Sequence, residues 1–136
     1  MSQLIFDVDR VFKFVTDQGV PMVFSAGMQG IGIERDEQLV GGVLYDSYST
    51  SNIFMHVAGT DGIQWATKTF VKAVFGYPFH QLKCKRVSGW VEASNLKARR
   101  LDEHLGFKQE AVLEGAARDG GDVIIYRMWR DECRFI

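Results

Sequence analysis

Proline and cysteine are scarce in this chain, at two residues each among 136, and neither sign of charge dominates it. Cys84 and Cys133 are too few for a disulfide framework and are not spaced like zinc ligands, so they read as reduced structural thiols. Three scattered histidines leave no metal site to expect. Lys and Arg total 16 against 17 Asp and Glu, a formal net charge of −1, which argues against a nonspecific nucleic-acid binder. Long apolar runs are also missing. The longest, Ala73 to Phe79, is broken by Gly76 and Pro78 and falls far short of the ~18 residues that suggest a membrane span. The first residues, Met1 to Asp7, lack a basic region, so no secretory leader is expected and the cytoplasm is the expected location.

What is present is an ordinary globular composition, 46% hydrophobic and 24% charged, with enough chain for one domain spanning 1–136. Fourteen glycines point to tight turns or close backbone approaches. Val8, Val11, Phe12 and Val15 fall on one helical face, with Asp7 or Asp9 as the N-cap and Gly19 as the stop. Gly30 to Arg35 and Gln38 to Tyr45 read as a hairpin around Asp36-Glu37, and Ile53 to Ala58 as a buried strand. Ile63, Ala66, Phe70, Val71, Val74 and Phe75 predict a helix over 63–75, closed by Gly76 and Pro78. Leu82 to Val91 reads as a strand and Asn95 to Leu105 as a helix that Gly106 ends. Phe107 to Leu113 and Val123 to Trp129 read as final strands around Asp119-Gly120-Gly121-Asp122. The alternation of the two periods predicts a mixed α/β (α+β) domain with a twisted sheet of six or seven strands.

Three features could carry chemistry. The turn Gly59 to Gly62 leads from a strand into a helix, where unpaired N–H groups can hold a phosphate, or where glycines simply make the turn. Asn95 opens the second helix as a cap or as a ligand, and Lys97, Arg99 and Arg100 behind it form either a solvated face or a contact for an acidic ligand. His56 lies in an apolar strand, as a base or as a satisfied core residue; His80 and His104 read as structural.

Taken together the second half is more specific. Arg86-Val87-Ser88-Gly89-Trp90-Val91, then Asn95-Leu96-Lys97-Ala98 and Leu105-Gly106-Phe107, resembles the strand, Asn-x-x-Ala/Ser, helix, Leu-Gly-Phe signature of the GNAT acetyltransferases. It is most similar to the branch that acetylates ribosomal-protein N-termini. Gly62-Ile63-Gln64-Trp65-Ala66-Thr67 resembles that branch's Gly-x-Gly-Tyr-Ala-Thr segment, with Gln64 in place of the second glycine. Tyr126 to Arg134 is similar to small GNAT proteins of phages and prophages, which would place the protein in the host cytoplasm. Many relatives carry Leu-Tyr where this chain has Leu101-Asp102, and that tyrosine protonates the leaving thiolate.

The resemblance implies a GNAT-like sheet with helices on both faces and transfer of acetyl from acetyl-CoA to a primary amine by direct attack. The acceptor would be a protein N-terminus, a lysine or a small amine, and a homodimer is one assembly open to it. Gly62, Ile63, Gln64, Trp65, Ala66 and Thr67 would cradle the pyrophosphate. Met55, Val57 and Ala58 would lie along the pantetheine arm, with Val57 N–H at the oxyanion, and Asn95 and Arg99 would be further cofactor contacts. His56 and Glu34 are the candidates for the base that takes the amine's proton. The alternative is a non-catalytic GNAT-fold binding or interaction module, such as a phage or virion-associated protein; thiol release separates the two.

Overall fold

The computed structural model describes all residues 1–136. Seven strands form one mixed sheet: β1 (Ser2–Ile5), β2 (Gln29–Arg35), β3 (Gln38–Asp46), β4 (Phe54–Gly59), β5 (Arg86–Glu92), β6 (Lys108–Leu113) and β7 (Val123–Trp129). They run in the order β1-β2-β3-β4-β5-β7-β6, antiparallel throughout except for the β4–β5 pair. Three helices, α1 (Val8–Asp17), α2 (Lys68–Gly76) and α3 (Leu96–Leu105), cover it.

The helices divide between the two faces. Val11 and Val15 of α1 pack with Met28, Leu44 and Ala58 on one face. On the other, Phe70, Val71, Val74 and Phe75 of α2 and Leu105 at the end of α3 join Val87, Val91, Tyr126 and Met128 in a 21-residue core. Alternation along the strands makes this possible, since successive side chains point to opposite faces.

Helix ends follow local chemistry. Asp7 caps α1 by accepting from the N–H groups of Asp9 and Arg10, and Asn95 caps α3 by accepting from Ala98 N at 3.1 Å. Gly106 ends α3 at φ +112, a conformation that favours glycine.

Two expected boundaries are corrected. The α2 helix begins at Lys68, five residues later than the periodicity suggests, because Thr67 is its cap, accepting from Phe70 N at 3.2 Å. Residues 63–67 are instead a non-helical approach held by the Trp65 indole, which rests on Gly59 and Gly41. The strand expected from Leu82 begins only at Arg86. Tyr77–Gln81 forms a π-helical turn that carries α2 past Gly76, and Leu82 and Cys84 donate back to Tyr77 and Pro78, so their backbones are committed to that turn.

Candidate active site

β4 and β5 run parallel but share one register pair, Phe54 with Ser88, where Ser88 N donates to Ile53 O at 2.9 Å. Beyond it they part. The orientation of β4's backbone follows from its other neighbour. Thr60 N donates to Val40 O, and hydrogen-bonded pairs alternate along an antiparallel ladder, so the even-numbered residues of β4 bond to β3. The odd-numbered residues therefore turn toward β5: the Met55 N–H lies at the shared rung, while the Met55 C=O and the N–H and C=O groups of Val57 and Gly59 aim into the gap. Gly59 O is met there by Lys97 Nζ of α3 at 2.9 Å, a side chain standing where β5 would have been.

On the α1 face the gap opens into a cavity of about 860 Å³, whose lining includes Met22, Asp46, Phe54, His56, Trp90 and Arg118. His56 is buried, and its Nε2 lies 2.8 Å from Asp46 Oδ1. A carboxylate only accepts, so Nε2 carries the hydrogen, and no protein group is hydrogen-bonded to Nδ1. Glu92, at the end of β5, holds the long β6–β7 loop by accepting from Arg118 N at 2.7 Å and from the Arg118 guanidinium at 3.0 Å. Those hydrogen bonds from Arg118 hold the Glu92 carboxyl below its usual pKa.

A small void of about 20 Å³ connects this cavity to the gap, bounded by Val57, Asn95, Ala98 and Asp102 as well as His56. Asn95 Oδ1 is spent on the cap, whereas its side-chain NH2 has no protein acceptor and faces that void's neighbourhood. At the other end lies the approach to α2. None of the backbone N–H groups from Gly62 through Ala66 donates to a protein acceptor, and Gly62 takes the positive φ of +76 that lets the turn form. A run of free N–H groups before a helix start suits an anion. Asp61 in the same turn is ion-paired at 2.9 Å with Lys97.

The structure thus brings His56, Met55, Val57, Asn95 and the 62–67 segment to one cleft. It does not bring the other expected residues there. Glu34 lies at the far side of the sheet, accepting from Gln3 at 2.8 Å and Arg10 at 2.9 Å, and it lines neither cavity. Arg99 donates to Ala93 O and the Tyr126 hydroxyl, on the β5–β7 side of α3; residues 97 and 99 lie about 200° apart on a helix, so the cation beside the loop is Lys97. Ala58 turns its side chain under α1 and its backbone to β3.

Four residues of the cleft escape the sequence reading. Asp46 belongs to a polar break, and only the β3–β4 register, Leu44 opposite His56, carries it to the imidazole. Glu92 with Arg118 depends on a contact 26 residues apart. Asp102 did leave a signal: Ala98, Asp102 and Leu105 are spaced i, i+4, i+7, an acid in an apolar stripe.

Solved structures share this fold. Spermidine N-acetyltransferase SpeG from Vibrio cholerae superposes with a TM-score of 0.73 at 15% identity, over 96% of this chain and 94% of that one. The chain has the GNAT fold. A dodecameric structure of the same enzyme gives 0.73 at 16% identity over the same shares. A proposed acetyltransferase from T. thermophilus gives 0.66 at 20% identity, covering 79% of this chain but only 62% of that one. No protein-family model matches the sequence, and no curated protein is detectably similar to it. The GNAT fold is therefore carried here by the overall architecture, a seven-stranded mixed sheet with three helices.

Proposed function

We propose that this protein is an acetyl-CoA-dependent N-acetyltransferase acting on a primary amine. The observation that carries the reading is the parted β4–β5 pair, with free backbone groups along one wall and the His56–Asp46 pair at the acceptor side. Bound in the gap, acetyl-CoA would supply the acetyl group already activated as a thioester. Met55 and Val57 would pair with the amide groups of its arm, and the free N–H groups of 62–66 would hold its pyrophosphate. The Val57 N–H points to where an oxyanion would form. The acceptor would attack as the neutral amine after giving its ammonium proton to water, His56 Nδ1 would take the proton shed as the C–N bond forms, and Asp46 would hold the ring and stabilise the imidazolium.

The open cavity beside His56 is large enough for a protein N-terminus, a lysine side chain or a small amine. The 62–67 segment supports the branch that acts on ribosomal-protein N-termini, and the SpeG likeness supports a small polyamine.

The test is acetyl-CoA binding by calorimetry, followed by thiol release with an amine panel. His56→Ala should lower kcat by about 100-fold or more and leave acetyl-CoA affinity unchanged. Binding without thiol release for any amine would instead make the chain a non-catalytic module, and no binding at all would remove the reading.

Asn95 separates capping from ligand contact. Asn95→Asp keeps a capping oxygen but loses the amide donor and adds charge near an anionic cofactor. Stability should hold, and acetyl-CoA affinity should fall about 2- to 12-fold. Equal affinity for the wild type and the variant would leave Asn95 a cap only.

A further inference from the structure

Asp102 is a charged residue type placed where the fold offers it no partner. It sits on the α3 face turned to the sheet, 6% exposed, and no protein donor lies within hydrogen-bond distance of its carboxyl. Every sealed side-chain oxygen in the molecule has a partner, so this one, which has none, opens on the void it lines. Room for it is made by β5: a Cβ on Gly89 would stand 3.0 Å from Asp102 Oδ2. Across that void are His56 and Val57 of β4. A buried carboxyl with no partner costs several kcal/mol if ionised, so it keeps its proton well above the ordinary range. Burial, with a smaller contribution from Glu103, raises its pKa to about 7.

The surrounding groups leave that state in place. His56 approaches from β4 and Glu92 closes β5. Tyr126 of β7 donates to Glu103 at 2.6 Å, and Arg99 donates to Tyr126 and Ala93. No cation is paired with Asp102 itself, and Val20 and Pro21, on the remaining wall, carry no charge.

We propose that Asp102 is the general acid of the transfer, donating its carboxyl proton to the sulfur that leaves the thioester. This rests on the acetyltransferase reading above. The amine lone pair forms the C–N bond, the C–S bond breaks with its electron pair going to sulfur, and the Asp102 O–H proton completes the thiol. The amine's surplus proton goes to His56, and the Asp102 carboxylate is reprotonated from water through the void. A thiol of ordinary pKa near 8.5 holds that proton more tightly than such a carboxyl, so the transfer runs downhill.

The experiment compares wild type with Asp102→Asn and Asp102→Glu, using the whole chain. Wild-type kcat should fall above pH 7 as the acid ionises. In Asp102→Asn, kcat should drop by about 100-fold or more and lose that alkaline limb, with affinity for acetyl-CoA within threefold and part of the rate restored in Asp102→Glu. An activity-free readout accompanies it: carbon NMR of labelled aspartate should show one carboxyl titrating near pH 7 and shifting on addition of CoA but much less with desulfo-CoA, which lacks the sulfur. An unchanged pH profile and kcat in Asp102→Asn, with binding and turnover intact, would overturn the role of Asp102 and leave the acetyltransferase reading standing. A wild type that neither binds acetyl-CoA nor releases thiol overturns both.

Discussion

Asp102→Asn should stabilise the protein at pH 8 by up to about 4 kcal/mol while changing it little at pH 3. In the unfolded chain this carboxyl ionises near its ordinary 3.8; in the fold, burial holds it to about 7. Between those values the folded state binds more protons than the unfolded one, so stability falls as pH rises. Each factor of ten in proton affinity is about 1.4 kcal/mol, and the interval from 3.8 to about 7 gives the figure of about 4. Asparagine has no proton to lose and removes the slope. Urea unfolding of both proteins at intervals from pH 3 to 8 measures it, and a difference that stays flat with pH would show that the carboxyl does not titrate in that range. A gain in stability bought with lost turnover is the usual signature of a group kept for function.

Gly59→Ala should have the opposite sign and a comparable size. A Cβ there would fall 1.9 Å from Cε2 of Trp65, and one on Gly41 would fall 2.8 Å from Cε3 of the same ring. These two glycines are the floor on which the indole lies, and the ring makes an edge contact with Phe70 at 6.0 Å. An added methyl displaces the ring, giving up the burial of an aromatic side chain, about 2–3 kcal/mol. The segment 63–67 moves with it, so acetyl-CoA affinity should fall as well. In a Trp65→Ala background the same glycine change should cost under about 1 kcal/mol, because nothing remains to collide with. Additive costs in the double variant would mean that the clash is not what the glycine avoids.

The parts of the fold legible in the sequence are those decided within one turn or one strand. Val123–Trp129 appears as read, Asn95 caps α3, and Gly106 stops it. The order of periods pointed to a mixed sheet of six or seven strands because each element's burial pattern depends on its own residues. Failures occur where a distant group overrules local propensity. Residues 63–67 have helical spacing, but Trp65 is claimed by glycines on two strands. Leu82 to Lys85 have strand-like content, but Leu82 and Cys84 donate back to the preceding π-helical turn.

The site divides in the same way. The positions of His56, Val57, Asn95 and the Gly62 turn around the candidate cleft follow from a strand-loop-helix order that is legible in the sequence. Glu34 was misplaced because its position across the sheet depends on topology; β3 and β4 separate its strand from the gap. Arg99 and Lys97 are not told apart in the sequence because a basic run does not announce which of its members faces the turn after β4. Only the hydrogen bond from Lys97 to Gly59 O decides that.

The single rung between Phe54 and Ser88 has a thermodynamic consequence. Each half of the sheet is antiparallel throughout, β1 to β4 as a meander on one side and β5-β7-β6 on the other, and each satisfies its own ladder. A ligand entering between them displaces no interstrand backbone hydrogen bond; the protein donor it meets on β4 is one lysine side chain. Its binding free energy is then not set against a zipper that must first be opened. Occupied and empty forms would then share one architecture, with affinity set by what the walls offer rather than by the work of separating them.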